Sequence, residues 1–166
     1  MNAGLLFFQA HRTSACQRVL KKSAGYFGVA VPEVRTCVQG VGLNGGISHL
    51  LKDSAVIFLV GSAPGKRPEC AGKIFNTLHV PPDKDGEPKG VLKLPGASKT
   101  GYLIESVDQA IVLLPDDPYE ILKMAPAVFG RLKKKFNLTG EFPKKEHPDY
   151  EKLITACMEA PGDSAP

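Results

Sequence analysis

The stretch that decides the fold is AVIFLVGSAPGK, residues 55–66. Its first six residues, 55–60, are all apolar, which indicates a strand buried on both faces, as in a parallel sheet covered by helices. A turn rich in small residues begins directly afterwards at Gly61-Ser62. Ligands of α/β proteins bind beyond the carboxyl ends of such strands. The stretch therefore predicts a class of fold and the edge of the sheet where function should be sought.

Segments on both sides of this strand alternate between strand and helix patterns. The expected elements are strand 4–10, a helix from Ser14, strand 34–41, helix 47–52 and helix 69–78. Gly28 and Pro32 should end the first of these helices, and Asn44-Gly45-Gly46 should form a flexible lead into the second. Alternation of this kind favours right-handed βαβ crossovers and a parallel or mixed sheet between two helical layers.

The second half of the chain predicts a hairpin, one more core strand and a long helix. Residues 90–94 and 102–107 should pair across the turn 96–101 as a small β-ribbon beside the main sheet, and 110–114 should return to the core. The helix should start at Pro118 and bend at Pro126. The expected fold class is α/β, a three-layer α/β/α sandwich with a mostly parallel sheet and a small β-ribbon.

Length favours one domain, residues 1–140. The remainder, 141–166, is expected to be a carboxyl-terminal extension with a short helix at 149–158 and a frayed tail.

Composition argues against membrane-spanning, secreted and nucleic-acid-binding proteins. The chain has 166 residues, 43% of them apolar, and a net charge of +4. No apolar run approaches the roughly 20 residues that cross a bilayer, and the amino terminus lacks the basic flank of a signal peptide. We expect a cytoplasmic protein with no membrane partner. Because there is no Trp and no nucleic-acid motif, no nucleic-acid partner is expected either, whereas the modest positive charge suits a phosphorylated small molecule.

The four cysteines are far apart in the sequence, at 16, 37, 70 and 157. This spacing matches neither the motif of a structural zinc site nor that of a redox-active cysteine pair. We expect them to be reduced thiols that pack as small hydrophobes.

Two turns contain the residue types that bind phosphate. Glycines let backbone amides approach an anion, lysines add charge, and hydroxyls donate hydrogen bonds. The candidates in these turns are Gly61, Ser62, Lys66, Gly96, Ser98, Lys99, Thr100 and Gly101. The first turn is not a P-loop, since the spacing and the hydroxyl of that motif are missing. Either turn could equally be an ordinary surface turn.

The acidic turn Pro115-Asp116-Asp117-Pro118 has a structural and a functional interpretation. Asp117 can cap the helix that begins at Pro118. Asp116 is then free to hold a divalent cation that bridges phosphates, because hard cations prefer carboxylate oxygens. Two further carboxylates, Glu69 and Glu120, are expected to be solvated.

With these segments in order, the chain resembles the molybdopterin-binding domain shared by molybdenum-cofactor biosynthesis proteins and by the amino-terminal domain of the CinA family, the latter more closely. The segments SKTGYLIE (98–105) and VLLPDDPYEILKM (112–124) are similar to the family's Gly-Thr-Ala-Pro-Gly-like turn with its strand and to its Leu-Pro-Gly-x-Pro-x-Glu helix start. Upstream, 38–42 and 55–62 resemble the strands that precede its Gly-Gly-x-Gly loop. The resemblance spans residues 4–136.

The resemblance implies binding of a phosphorylated pterin or nucleotide, such as molybdopterin, together with Mg²⁺ and either nucleotidyl transfer or pyrophosphate cleavage. In that version Glu69, Asp116 and Asp117 are the catalytic carboxylates, and Asp116 holds the metal. It also implies a homo-oligomer. Because Asp116 stands where the family has glycine, the alternative is a non-catalytic assembly or regulatory protein that keeps the fold.

Overall fold

The computed structural model describes residues 1–38 and 41–144, apart from the side chain of Val41. The expected helix at 149–158, the rest of the frayed tail and Cys157 lie outside the described residues. The chain forms six strands and four helices in this order: β1 Asn2–Phe8, α1 Thr13–Gly25, β2 Ala30–Cys37, α2 Val41–Asp53, β3 Val56–Gly61, α3 Ala71–Thr77, β4 Leu92–Pro95, β5 Thr100–Glu105, β6 Ala110–Pro115 and α4 Pro118–Phe136.

All six strands belong to one sheet in the order β2-β1-β3-β6-β5-β4. The neighbours β2, β1, β3 and β6 pair in parallel, which requires the crossover helices to lie on the faces of the sheet. Helices α1 and α4 pack together on one face, and α2 and α3 cover the other. The predicted three-layer α/β/α class is confirmed.

Alternation along the central strands divides the core into two halves. In β3, Phe58 points to the α1–α4 face, whereas Ile57 and Leu59 point to the α2–α3 face, and all three are fully buried. The same period of two runs through β1 and β6. Continuous apolar runs are therefore needed in these strands because neither face meets water.

The β4–β5 hairpin is the edge of the main sheet. β5 pairs antiparallel with β6, and β4 pairs antiparallel with β5. The ribbon predicted beside the sheet thus extends it by two strands, and the turn between them, 96–99, lies at the carboxyl ends of the parallel strands.

Two predicted elements, β2 and α2, begin four or more residues before their expected starts. β2 begins at Ala30, so Pro32 lies inside a strand that was expected to start at residue 34. Proline is tolerated there because β2 is an edge strand, where an amide on the outer side has no strand to pair with. α2 begins at Val41, so the glycines expected to form a flexible lead are helical.

Both edges of the sheet carry features that hinder pairing with another strand. The edge strand β4 has only four residues and ends at Pro95. The edge strand β2 contains Pro32 and the charged pair Glu33 and Arg35, whose side chains are 2.8 Å apart. Prolines and charges are the usual protection of exposed sheet edges.

Helix α4 continues past the predicted bend at Pro126 as one helix and ends at Phe136. The next residue, Asn137, caps the helix in a left-handed conformation with φ of 53°. The chain then folds back, and Phe142 packs edge-on against Phe27 and Phe129 at centroid distances of 5.0 and 5.9 Å. The α/β core therefore includes residues just beyond position 140. In the described part of the chain, no helix combines the length and apolarity needed to cross a membrane.

The buried cysteines behave as small apolar residues. Cys16 and Cys70 are buried free thiols. Burial raises the pKa of Cys16 to about 12, with a smaller contribution from the nearby carboxylates of Asp116 and Asp117, and burial raises that of Cys70 to about 11. Thiols in this state are poor nucleophiles at neutral pH.

Candidate functional site

A cavity of about 370 Å³ opens at the carboxyl ends of β1, β3 and β6. The chain leaves β1 for β2 on one side and returns from β2 to β3 on the other, so the order of strands reverses at β1. This reversal creates the crevice in which open α/β sheets bind ligands. The cavity is lined by the residues that follow these strands and by one lysine of the hairpin turn: His11, Arg12, Ser62, Ala63, Pro64, Lys99, Asp116 and Asp117.

The amino terminus of α1 contributes positive potential to this cavity. Arg12 is its N-cap residue but makes no side-chain capping hydrogen bond, and the first turn contains no acidic residue. The first amides of a helix have no partner within the helix and carry the positive end of its dipole. The guanidinium of Arg12 lies 3.7 Å from Asp117 Oδ2 and is largely exposed. This end of α1 therefore suits an anion.

The two aspartates of the acidic turn have separate partners. Asp117 accepts hydrogen bonds from the amides of Tyr119 and Glu120 at 2.9 and 3.4 Å, which is the predicted cap of α4. Asp116 Oδ2 accepts a hydrogen bond of 3.0 Å from the His11 amide and so links the end of β6 to the end of β1. Asp116 is thus part of the framework of the cavity as well as of its lining.

Lys99 joins the hairpin turn to the loop after β3. Its ammonium donates hydrogen bonds to the carbonyl oxygens of Ala63 and Gly65, the second at 3.2 Å. The backbone adds a further link, because the Thr100 amide donates to the Lys66 carbonyl at 2.6 Å. The two turns that the sequence singled out are therefore in direct contact.

Glu120 is buried, with 3% of its surface exposed, so the expectation that it is solvated is wrong. Its carboxylate accepts hydrogen bonds from the amides of Ala97 at 2.7 Å, Ser98 at 2.9 Å and Lys99 at 3.4 Å, and from the Ser98 hydroxyl at 2.7 Å. Charge can be buried here because the turn supplies donors to both oxygens. Sequence reasoning missed this because the donors come from a turn more than 20 residues away.

The donors also decide the ionisation of this carboxyl group. Burial alone would raise the pKa of Glu120, but the hydrogen bonds from Ser98 and from the amides of Ala97 and Lys99 together outweigh burial and leave the pKa below its usual value. Glu120 is therefore a carboxylate at neutral pH.

Of the other residues predicted for the site, some line the cavity and some do not. Ser62, Lys99, Asp116 and Asp117 line it, whereas the exposed side chains of Lys66 and Glu69 do not. Two residues that do line it, His11 and Arg12, were not predicted. The sequence feature that could have identified them is their position directly after an apolar strand. The same feature singled out the loop after β3.

The predicted glycines lie where a side chain would collide with neighbouring atoms. A Cβ atom at Gly96 would be 2.0 Å from Glu120 Oε2, and one at Gly101 would be 2.7 Å from the Leu113 carbonyl oxygen. At Gly61 it would be 2.9 Å from Cys70 Sγ. Close packing accounts for all three glycines.

A second cavity, of about 380 Å³, lies at the other end of the strands, beside the first residue of β6 and between α2 and β5. Its lining includes Leu51, Val80, Val91 and Ile104. We place the candidate site in the first cavity because that cavity combines the strand ends, the α1 terminus and two aspartates, which are groups able to do chemistry.

No protein-family model and no curated protein sequence matches this chain. Among solved structures, the chain is similar to the protein CinA of unknown function from Thermoplasma acidophilum, with a TM-score of 0.62 and 12% sequence identity. The alignment covers 80% of this chain and 99% of that chain. The chain has a CinA-like fold. At this level of identity the similarity concerns the fold alone.

Proposed function

We propose that this protein binds a phosphorylated small molecule of the pterin or nucleotide class in the cavity at the ends of β1, β3 and β6. The observation that carries the proposal is the convergence of Arg12, the uncapped amino terminus of α1 and Lys99 on one cavity at the strand-order reversal. Each of these groups favours an anion.

The charge of Lys99 supports this location. An ammonium has three donors, and two of them go to carbonyl oxygens. None of the ion pairs among the described residues involves Lys99. A phosphate oxygen in the cavity would therefore meet a positive charge that the protein itself does not neutralise.

The two aspartates explain why a phosphate alone is not the proposed ligand. Carboxylates accept hydrogen bonds and repel phosphate, so Asp116 and Asp117 favour a ligand that has hydrogen-bond donors at a second position. A pterin or a nucleobase has ring N–H groups that supply such donors. The mixed lining thus favours a ligand with an anionic end and a hydrogen-bond-donating ring.

Binding without catalysis is the version that the contacts favour. Asp117 caps α4, Asp116 holds the His11 amide, and Glu120 is enclosed by the hairpin turn. The exposed side chain of Glu69, the third carboxylate expected from the resemblance, does not line the cavity. A binding module or a non-catalytic regulatory protein fits these engaged carboxylates.

A second candidate is Mg²⁺-dependent pyrophosphate cleavage or nucleotidyl transfer. It is favoured by one observation, that Asp116 and Asp117 line the same cavity. No group of three or more metal-ligating side chains occurs among residues 1–38 and 41–144. Mg²⁺ is nevertheless often held by one or two carboxylates together with the phosphates of its substrate, so the aspartate pair fits the metal when a substrate is present.

The proposal is tested by calorimetric binding of ADP-ribose and of a phosphorylated pterin to the full chain, with and without Mg²⁺. We expect saturable binding that Arg12→Gln weakens about tenfold, since a charged hydrogen bond to phosphate is lost. Arg18→Gln is the matched control, because Arg18 lies on the same helix but does not line this cavity.

Three outcomes are decisive. Absence of binding to either ligand, or equal effects of the two arginine variants, would refute the proposed site. Release of AMP and ribose 5-phosphate from ADP-ribose only in the presence of Mg²⁺ would establish pyrophosphate cleavage over simple binding.

A further inference from the structure

We infer that Glu120 is a positioning residue for the candidate site: it holds the turn 96–99 in the arrangement that presents Lys99 to the cavity. The inference rests on the proposed function for its ligand, but its structural half can be tested without one. Glu120 itself does not line the cavity.

The Glu120 carboxylate points toward the hairpin turn and not back along its own helix. Asp117 and Glu120 have the spacing of a capping box, in which the glutamate at the third helical position would bond back to the amide of the N-cap residue. Instead, its carboxylate receives the amides of Ala97, Ser98 and Lys99 from another part of the chain. The side chain therefore organises the turn rather than its own helix.

The turn 96–99 is shaped around the Glu120 carboxylate. Gly96 closes the turn through its amide, which donates to the Lys99 carbonyl oxygen at 2.8 Å. The space that a side chain at Gly96 would fill is taken by Glu120 Oε2. Three successive amides that converge on one anion form an anion-binding concavity, and here the anion belongs to the protein.

Lys99 connects the turn to the cavity. The same residue whose amide is held by Glu120, Lys99, extends its ammonium to the carbonyl oxygens of Ala63 and Gly65 in the loop after β3. Without the carboxylate, three amides and a hydroxyl would lose their acceptor, and the turn would need water to satisfy them. The position of the Lys99 ammonium would then no longer be defined by the fold.

The test compares Glu120→Gln with Glu141→Gln, which removes the same charge from an exposed side chain outside the cavity. A glutamine offers one acceptor and places an NH₂ group against donors, so part of the turn's hydrogen bonding is lost. We expect amide hydrogen exchange at residues 97–99 to become about tenfold faster in Glu120→Gln, while the control stays within twofold of the wild type. We also expect faster acetylation of Lys99 by an amine-selective reagent, measured by mass spectrometry.

The ligand arm uses ADP-ribose. We expect Glu120→Gln to weaken binding several-fold, with Ser98→Ala, which removes one of the four hydrogen bonds, giving a smaller change in the same direction. Ser98→Ala also decides the question if Glu120→Gln does not fold. Unchanged exchange and acetylation in both variants would overturn the inference, as would unaltered affinity in a variant whose turn exchanges faster. If the wild type binds no ligand, the proposed function fails, and the exchange and acetylation results alone decide whether Glu120 holds the turn.

Discussion

At the scale of single residues, hydrogen-bond donors lower the pKa values of particular glutamates, as they do for Glu120. The Arg35 side chain lowers the pKa of the half-buried Glu33, with a smaller contribution from His49, and the Arg131 side chain lowers that of Glu105. The second pair is bidentate, with both N–O distances at 2.8 Å, which is the strongest geometry for an arginine and a carboxylate.

The Glu105–Arg131 pair gives a prediction about pH. Because the pKa of Glu105 is lower in the folded state, the pair stabilises the protein above the unfolded value near 4.5 and ceases to do so as the pH falls through the folded value. We expect Arg131→Gln to reduce the free energy of unfolding at pH 7, and we expect its difference from the wild type to shrink as the pH falls below 4.5. Urea denaturation at several pH values measures this, with Arg18→Gln as the control. A difference that does not shrink in acid would contradict the prediction.

Glycines at the site give a prediction about packing. A Cβ atom at Gly101 would lie 2.7 Å from a backbone oxygen, whereas one at Gly130 in α4 would have no heavy atom within 4 Å. We expect Gly101→Ala to lower the free energy of unfolding by roughly 1–3 kcal/mol through overpacking. Gly130→Ala should raise it by about 0.5–1 kcal/mol, since alanine favours a helix. Equal effects in chemical denaturation would show that the strand has room at Gly101.

At the scale of the elements, helices and strands could be predicted where a pattern within the segment itself defines them. The continuous apolar runs located β3 and β6 to within one residue at either end. β2 was misplaced because its start depends on being at the edge of the sheet, which the sequence does not reveal. The predicted helix 47–52 was shorter than α2 for a similar reason. Gly46 lies within α2 because a glycine lets the helix come close to β1, where an added Cβ atom would lie 3.3 Å from Leu6.

The start of α4 gives a prediction for an element. Asp117 satisfies two helix amides with one oxygen, so Asp117→Ala should reduce the free energy of unfolding by about 1 kcal/mol. Asp117→Ser keeps a capping oxygen without the charge and should restore most of that loss. Chemical denaturation of both variants separates the cap from the ion pair with Arg12. An equal loss in both would assign the stabilisation to the charge.

At the scale of the whole molecule, the tertiary fold decides which distant residues contact each other at the candidate site, and the sequence does not reveal these contacts. The strand ends and the two turns were identified from local patterns, but the partners of those turns were not. Asp116 meets His11 across 105 positions of sequence because the sheet order places β1, β3 and β6 side by side. Glu120 meets the turn 96–99 because β5, which follows that turn, pairs with β6, which precedes α4. The sequence therefore locates the site better than it assigns roles to individual residues.

The boundary of the domain gives a prediction for the whole molecule. The half-buried Phe142 packs against Phe27 and Phe129, so the fold includes residues beyond 140. We expect Phe142→Ala to reduce the free energy of unfolding by roughly 2 kcal/mol, about half the cost at a fully buried position, and Phe142→Leu to cost less. A chain ending at 144 should melt at a higher temperature than one ending at 140. Identical melting of the two truncated chains would place the boundary at 140.

The protected edges of the sheet also have a consequence for behaviour at high concentration. A second copy that tried to extend the sheet would meet a strand of four residues closed by Pro95 on one side and Pro32 with the charged pair Glu33 and Arg35 on the other. Neither edge therefore presents a long, uninterrupted row of backbone amides and carbonyls to which the strands of a cross-β fibril could add. The folded protein should therefore resist fibril growth that starts from the edges of its sheet.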